Sequence, residues 1–293
     1  AIMPFAAYWL LWGGTIWGPL VTALGFVIGW AVLTYGAPTL GALGATIGAI
    51  VVPLLYWLFV AGPLSGALGS ILPIGIEAVP SDRFGGFMLA IVIGVAGIVM
   101  SLPLGILLAL GRQSDLFIIN KCSVIFIEVI RGVPLIVWLF TASLLLNYFL
   151  PPGTNFDLML RVIIMVTLFS SAYIAEVVRG GLAALPRGQY EGADSLGLDY
   201  WQSMQLIILP QALKISIPGI VNTFIGLFKD TTLVVFIGIL DPIGRASAIR
   251  ATSDWKGIYW ELFIFIGAVF WIFCFGMSRY SMYLERRLKT DHR

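Results

Sequence analysis

The sequence predicts an all-α integral membrane protein, and three observations carry this prediction. Of its 293 residues, 59% are hydrophobic and only 11% are charged, and the mean hydropathy is +0.98. Soluble domains carry about 25% charged residues, so a water-soluble fold of this length could not bury so much apolar side chain. Apolar runs also recur at lengths near the roughly 20 residues that a membrane-spanning helix requires.

Seven apolar segments are predicted to span the membrane. The first two, near 5–35 and 38–62, are separated by Gly36-Ala37-Pro38 and contain no charged residue; they form an N-terminal region, 1–62. A link rich in Gly and Pro is expected at 63–86. Five further spans, within a core of residues 87–283, are predicted at 87–111, about 124–149, 158–181, 214–240 and 259–283. Residues 284–293 form a basic tail.

The distribution of Lys and Arg predicts how the chain is oriented, because cytoplasmic loops of membrane proteins carry an excess of these residues. With the C-terminus in the cytoplasm, eleven basic residues lie inside: Arg112, Lys121, Arg131, Arg179, Arg187, Lys214, Arg279, Arg286, Arg287, Lys289 and Arg293. Five lie outside: Arg83, Arg161, Arg245, Arg250 and Lys256. This orientation places the segment 182–213 and the tail in the cytoplasm, and the link 63–86 on the outer, periplasmic face.

Composition and motifs also argue against several functions. The net charge of +2 argues against a nucleic-acid partner. The only histidine is His292, so the sequence predicts no metal site. No phosphate-binding loop of the form Gly-x-x-x-x-Gly-Lys-Ser/Thr is present, so we expect that the chain does not hydrolyse ATP itself. The absence of Gly-x-Ser-x-Gly argues against an intramembrane hydrolase, and no catalytic residue is predicted.

The cytoplasmic segment begins with signals for a short surface helix. Pro186 is expected to end the preceding helix. Residues 188–196 have room for about two turns, and Gly197 suits the left-handed end of a helix. Small residues let another protein approach closely, and Tyr190 offers an anchor for it. One helix face would hold four residues at helical spacing: Tyr190, Ala193, Asp194 and Gly197. An amphipathic helix that rests on lipid is the alternative.

A second short helix is expected to follow in the same segment. Asp199 with Gln202 three residues later forms a capping-box pattern, which is typical of a helix N-terminus. Pro210 is expected to limit this second helix. The segment is therefore predicted to be a helix–glycine–helix unit that lies along the membrane surface.

This segment resembles the "EAA" loop of importer permeases of the ATP-binding-cassette (ABC) class, through which a separate ATPase moves the membrane subunit. The family pattern is Glu-Ala-Ala, three residues, Gly, nine residues, Ile, any residue, Leu-Pro. The matching residues are Glu191, Ala193, Gly197, Ile207, Leu209 and Pro210, with Gly192 in place of the first Ala. The resemblance implies an ATPase-coupling surface formed by Tyr190, Glu191, Gly192, Ala193, Asp194, Gly197, Leu209 and Pro210.

Two more elements extend the resemblance over residues 85–290. Glu-Val-Ile-Arg-Gly-Val-Pro-Leu at 128–135 resembles the Arg-Gly-Thr-Pro-Leu element of polar amino-acid permeases, and Phe-Lys-Asp-Thr-Thr-Leu at 228–233 resembles their Lys-Asp-Thr-Ser-Leu element. The chain therefore resembles the M-type permease subunit of a bacterial general L-amino-acid importer, in the polar (His/Glu/Gln/Arg/opine) permease family. One departure is Trp138, where many relatives have Gln.

The resemblance implies a type I ABC importer permease core of five transmembrane helices, with about two extra N-terminal ones, in the bacterial inner membrane. It implies three kinds of protein partner: a second, non-identical permease subunit, two copies of an ABC ATPase and a periplasmic amino-acid-binding protein. ATP and Mg would bind to the ATPase, and this chain would bind no cofactor. An ion-driven secondary amino-acid transporter is the alternative, since Asp230 lies within a span, but it leaves the loop pattern unexplained.

Charged residues within spans are candidates for function because burying them in lipid is costly. Two blocks repeat one pattern, Glu128 with Arg131 and Glu176 with Arg179. In each block the two residues are three apart and share a helix face, so they are expected to pair. Two interpretations stay open. The pairs anchor the helix ends at the membrane surface, with arginine reaching to water, or they form an inner gate or a network that links the spans to the loop.

The span 214–240 contains a second polar group: Asn222, Thr223, Lys229, Asp230, Thr231 and Thr232. Lys229 and Asp230 are adjacent, so they point about 100° apart on a helix and each needs another partner, a wet cavity or a helix break. An amino acid carries an ammonium and a carboxylate, and a cavity lined by these residues would suit both. The six residues are therefore predicted to line the substrate path, with a structural ion pair to another span or subunit as the alternative.

Overall fold

The computed structural model describes residues 3–145, 157–255 and 257–288. These residues are almost entirely helical, which confirms the predicted fold class. The chain divides into two compact units, Ala1–Arg83 and Phe84–Arg293.

The N-terminal unit contains three helices and a small antiparallel ladder. Helix α1 is Met3–Trp12, α2 is Trp17–Leu55, and a π-helical turn, Tyr56–Val60, leads into α3, Ala61–Ile71. Strand β1 (Gly14–Thr15) pairs with β2 (Gly75–Ile76). The side chains of the π-helical turn hold the unit together, because the Tyr56 hydroxyl donates to the carbonyl of Val21 at 3.0 Å and the Trp57 indole donates to that of Thr22 at 3.0 Å.

The first two spans lie further along the chain than predicted. They are Trp17–Gly41 and Gly44–Ile71, and the break between them falls at Gly41 rather than at 36–38. Gly41 has φ 70° and ψ 168°, a conformation that glycine adopts without steric cost, whereas Pro38 is accommodated inside the helix. Because α3 continues to Ile71, nine residues of the expected link, 63–71, are helical.

The second unit contains nine α-helices among its described residues, joined by π and 3-10 turns. The α-helices are α4 (Gly86–Arg112), α5 (Phe117–Gly132), α6 (Leu135–Phe140), α7 (Leu158–Ala183), α8 (Arg187–Ser195), α9 (Tyr200–Ser203), α10 (Leu209–Asp230), α11 (Pro242–Arg250) and α12 (Trp260–Leu288). The π-helical turns are Thr141–Leu145 and Met204–Ile208, and the 3-10 turns are Thr231–Ile237 and Ser253–Trp255.

Helix α7 is the centre of this unit, since more than half of its most apolar stretch is buried and it packs mainly on α4 and α10. Glycines permit these close approaches. A Cβ at Gly105 of α4 would lie 2.6 Å from Ile174 Cγ2, and a Cβ at Gly181 of α7 would press on Ser216 and on the backbone of Ala212. Glycines, which have no side chain, therefore allow both α4 and α10 to lie close to α7.

The predicted span 124–149 is not one straight helix. Helix α5 and the segment Leu135–Leu144 are bent by 101° relative to each other, so the described residues contain six candidate spans, or seven if this pair counts as one. The residue before a proline is driven to extended backbone, and Val133, before Pro134, has φ −121° and ψ 135°. The Trp138 indole then donates to the carbonyl of Ile130 at 3.2 Å, near the end of α5. Residues 146–149 of the prediction lie outside the described residues.

The prediction that Pro210 limits the second loop helix is wrong. The helix continues from Tyr200 to Ile237, through 38 residues, so the predicted span 214–240 begins much earlier. In the π-helical turn, the N–H of Leu209 reaches the carbonyl of Met204. This places Pro210 in the first turn of α10, where its missing N–H costs little. At the start of α7, the carboxylate of Asp157 caps the helix by accepting the N–H of Leu160 at 3.1 Å.

Candidate functional site

The loop between α7 and α10 has the local structure that the sequence predicts. Pro186 immediately precedes α8, and Gly197 ends that helix with a φ of 69°. The Asp199 carboxylate accepts the N–H of Gln202 at 2.8 Å, and the Gln202 side chain accepts the N–H of Asp199 at 3.2 Å. The helix stop and the capping box are therefore confirmed.

Two residues expected on the docking face of the loop instead face the protein's own core. Ala193 is 1% exposed. Tyr190 is half-buried against an apolar cluster that includes Leu182 and Ile208, and its hydroxyl donates to the carbonyl of Leu182 at 3.5 Å. Burial raises the pKa of the Tyr190 phenol, and the nearby Tyr200 raises it further. The turn of α8 points Tyr190 and Ala193 towards α7 and hence fixes the loop to the spans, while the role of the half-buried Tyr190 as an anchor for a partner stays a prediction.

The outward surface of the loop carries acidic residues around α8, with the exposed Arg187 at the start of that helix, and apolar residues further on. Its exposed acidic residues are Glu191, Asp194 and Asp199, and Gly192 between them has open space above it. Three exposed apolar residues follow: Leu196, Tyr200 and Trp201. The rings of the last two lie 5.4 Å apart at 79°. Sequence reasoning missed these three, although two adjacent aromatic residues just after a polar N-cap are a visible signal. Pro210 is also exposed, whereas Leu209 packs against the apolar cluster.

A cavity of about 280 Å³ lies between α7 and α10. Its lining residues are Phe169, Ser170, Tyr173, Asn222, Thr223, Gly226, Leu227 and Asp230. Three of the six residues predicted for the substrate path, Asn222, Thr223 and Asp230, therefore meet at one cavity. Sequence reasoning missed Ser170 and Tyr173, which stand in the only Ser-Ser-Ala-Tyr run of the chain.

The structure does not bring the other three predicted residues into this cavity. Lys229 is exposed and points away from it, as the 100° offset from Asp230 requires. Thr231 and Thr232 lie in the 3-10 turn after α10, and their hydroxyls donate to the carbonyls of Phe228 at 2.7 Å and of Lys229 at 2.9 Å. Within the described residues, neither Lys229 nor Asp230 forms a salt bridge.

A buried hydroxyl of the cavity has no hydrogen-bond partner among the described residues. Ser170 is 1% exposed, and its hydroxyl has no hydrogen-bond partner in the described part of the chain. Leaving a buried hydroxyl unpaired costs roughly 1–3 kcal/mol. By contrast, the hydroxyl of Thr223 already donates to the carbonyl of Gly219 at 3.0 Å. Ser170 is therefore the hydroxyl that a polar molecule in the cavity would satisfy.

An ionic cluster lies at the end of α7 that leads into α8. Arg112 of α4 donates to Glu128 of α5 at 2.9 Å and to Glu176 of α7 at 2.6 Å. Arg179 donates to the other oxygen of Glu176 at 3.0 and 3.2 Å. Arg131 lies 3.8 Å from that same oxygen. Three helices are therefore joined at one carboxylate.

The predicted pair Glu176–Arg179 is confirmed, but the predicted pair Glu128–Arg131 does not form. The reason is the packing of the helices, because Arg112 at the end of α4 pairs with Glu128. Arg131 therefore turns towards α7. There its guanidinium lies 5.4 Å from the centre of the Tyr173 ring. Sequence reasoning missed Arg112 as a member, although its position at the end of a span is typical of such a residue.

Residues 101–290 match the protein family described as "Binding-protein-dependent transport system inner membrane component". The chain belongs to this family. Over its whole length it is 65% identical to the glutamate/glutamine/aspartate/asparagine transport system permease protein BztC of Rhodobacter capsulatus, of which it covers 68%. Over 83% of its length it is 48% identical to the inner membrane amino-acid ABC transporter permease protein YhdY of Escherichia coli K12, of which it covers 64%. The chain thus spans about two thirds of these relatives.

Solved structures agree with this assignment. One described as "Crystal structure of an amino acid ABC transporter with histidines" matches with a TM-score of 0.61 and 31% identity, over 70% of this chain and 92% of that one. An inward-facing structure of the MetNI methionine ABC transporter matches with a TM-score of 0.53 and 19% identity, over 68% of this chain and 92% of that one, and shows the shared fold. The predicted importer permease fold is confirmed, and the ABC importer is supported over the ion-driven carrier. Family membership implies an ATPase and a substrate-binding protein as partners.

Proposed function

We propose that this chain forms half of the translocation pathway of an amino-acid importer in the bacterial inner membrane, with its C-terminus in the cytoplasm. The single observation that supports a path through this chain is the cavity between α7 and α10, in which polar groups meet inside two apolar spans. The name of the relative BztC indicates glutamate, glutamine, aspartate and asparagine as the first candidate substrates of this chain.

The cavity suits one amino acid. Its volume, about 280 Å³, is at the lower end of the range of small-molecule sites. The carboxylate of Asp230 offers a partner for the ammonium group, and the amide of Asn222 and the unpaired hydroxyl of Ser170 offer donors to the carboxylate. These few polar groups fit a path in which the external binding protein performs the selection.

The driving force comes from a separate ATPase, which docks on the outward surface of the loop. Two copies of this ATPase bind ATP and Mg, and this chain binds neither, nor any metal. A second, non-identical permease subunit completes the pathway, and a periplasmic binding protein delivers the amino acid. The contact between Tyr190 and Leu182 supports this scheme, because it fastens the loop to α7, which lines the cavity.

The coupling role predicts that changes at the exposed loop separate ATP hydrolysis from uptake. In complexes reconstituted with the ATPase and binding protein, Glu191→Lys or Gly197→Asp should reduce amino-acid uptake about tenfold or more per ATP hydrolysed, because each alters a surface on which the ATPase docks. The matched control is Lys121→Glu, a charge reversal of equal size at an exposed residue of α5. It should leave the ratio of uptake to hydrolysis unchanged. Intact complexes of both loop variants with a normal ratio would refute the coupling role.

A further inference from the structure

Tyr173 occupies the boundary between the cavity and the ionic cluster. Along α7, the cavity residues end at Tyr173, and Glu176 of the cluster follows three residues later. Gly181 of α7 lies against Ala212 of α10, and Val177, one turn earlier in α7, lies against Ser216 and Gly219, so the two helices run antiparallel. Asn222 therefore lies at the same end of the cavity as Tyr173. Tyr173 lines the cavity, and its ring also contacts a member of the cluster.

That member is Arg131, which is held less firmly than the other two arginines. Arg112 and Arg179 donate to Glu176 at 2.6–3.2 Å, whereas Arg131 lies 3.8 Å from its carboxylate. The Nε of Arg131 is buried and has no hydrogen-bond partner in the described residues. Its close neighbour is the ring of Tyr173, 5.4 Å from the guanidinium carbon. The position of Arg131 therefore depends on the orientation of that ring.

The charge balance of the ionic cluster explains why the contact between Arg131 and the Tyr173 ring matters. Three guanidinium groups share two carboxylates, so one positive charge is in excess. Both hydrogen bonds from Arg179 fall on the oxygen of Glu176 that Arg131 approaches, so the ion pair of Arg131 with this oxygen is long, and the attraction between a guanidinium and an aromatic face adds to it in holding Arg131 against α7. Arg131 lies on α5 and Tyr173 on α7, so this contact also determines how closely the two helices associate at this end.

We propose that Tyr173 is a positioning residue that transmits occupancy of the cavity to the ionic cluster. A bound amino acid fixes the ring against Arg131, Arg131 then stays beside Glu176, and α4, α5 and α7 are held together in the arrangement that permits ATP hydrolysis. In the empty cavity the ring is free to turn, and α5 is released from α7. This inference rests on the proposed function, in which the cavity receives the transported amino acid.

The experiment measures ATP hydrolysis by the reconstituted complex over a series of L-glutamine or L-glutamate concentrations, with the binding protein present. Two quantities are read separately: the ratio of maximal to basal hydrolysis, and the amino-acid concentration that gives half of the stimulation. Tyr173→Leu removes the aromatic face and should lower the ratio about fivefold or more. Tyr173→Phe keeps the face and should stay within about twofold of the unaltered protein. Arg131→Gln should lower the ratio as Tyr173→Leu does, with little change in the half-maximal concentration, because Arg131 does not line the cavity.

A matched control and a double variant separate signalling from simple packing. Phe117 of α5 also presents its ring to a cation, Lys121, at 5.9 Å, but it belongs neither to the cavity nor to the ionic cluster. Phe117→Leu should therefore keep the ratio. The double variant Tyr173→Leu/Arg131→Gln should be no worse than either single variant, since both remove one contact.

Several outcomes would overturn the inference. Equal losses in Tyr173→Leu and Tyr173→Phe would assign the effect to the hydroxyl, and a shifted half-maximal concentration with a full ratio would make the ring only part of the cavity wall. Additive losses in the double variant would separate the two residues. If Tyr173→Leu does not assemble, a normal ratio for Arg131→Gln refutes the inference by itself. The proposed function fails differently, through absence of labelled amino-acid uptake by the unaltered complex.

Discussion

At the scale of single residues, Glu176 is the side chain that joins the helices of the ionic cluster in the second unit. It is the one carboxylate of the cluster that receives close hydrogen bonds from two arginines, on α4 and on its own helix. Its side chain is 17% exposed, against 55% for Glu128, which accepts from Arg112 alone. Hydrogen bonds between charged groups contribute more when they are shielded from water, so the two glutamates are not equivalent.

We predict that Glu176→Gln lowers the free energy of unfolding by about 2–3 kcal/mol, because it leaves Arg112 and Arg179 facing a neutral amide. Glu128→Gln is the matched control and should cost about 0–1 kcal/mol, since its pair with Arg112 is largely exposed. Thermal unfolding of both variants in detergent measures the difference. Equal destabilisation by the two substitutions would contradict the assignment of Glu176 as the centre of the cluster.

At the scale of helices, the sequence predicted best those features that a few neighbouring residues determine. The stop at Gly197 and the capping box at Asp199 depend on local backbone chemistry, and both are present. The bend at Pro134 was not predicted and the effect of Pro210 was predicted wrongly, although both prolines are visible in the sequence. The first separates two helices bent by 101°, whereas the second continues a helix, because a π-helical turn precedes it. Proline alone does not indicate which outcome packing will select.

Adjacent glycines in α7 allow helix packing to be tested with a matched pair. A Cβ at Gly181 would press on the Ser216 hydroxyl and on the carbonyl of Ala212, whereas a Cβ at Gly180 would meet nothing within 4 Å. Because the backbone of Ala212 cannot shift without moving α10, Gly181→Ala should destabilise the protein by about 1–3 kcal/mol. Gly180→Ala should be neutral or stabilising by up to about 1 kcal/mol, because alanine favours helix. Thermal unfolding of the two variants gives the comparison, and equal stabilities would argue against the close contact of α7 with α10.

At the scale of the whole molecule, composition and periodicity were sufficient for the fold class but not for the candidate site. Asn222, Thr223 and Asp230 were predicted because polar residues in an apolar span stand out in one sequence. Ser170 and Tyr173 were missed, since small hydroxyls and aromatic rings are ordinary in membrane helices and gain significance only when α7 lies beside α10. Arg112 joined the cluster for the same reason. The polar residues of a single helix can be identified from the sequence, whereas a site formed by two helices depends on how those helices pack.

The excess of basic residues on one side predicts the orientation of the chain in the membrane, and this orientation determines whether the loop can meet an ATPase. After Cys122 and Cys274 are replaced by serine, a single cysteine is introduced at Ser195 in the loop or at Thr252 beyond α11, both exposed positions. We expect Thr252→Cys to react with a membrane-impermeant maleimide on intact spheroplasts. Ser195→Cys should react only after the membrane is permeabilised, and detergent-solubilised protein shows that both thiols are reactive. The reverse pattern would place the loop outside the cell, away from ATP, and the coupling role would then be untenable.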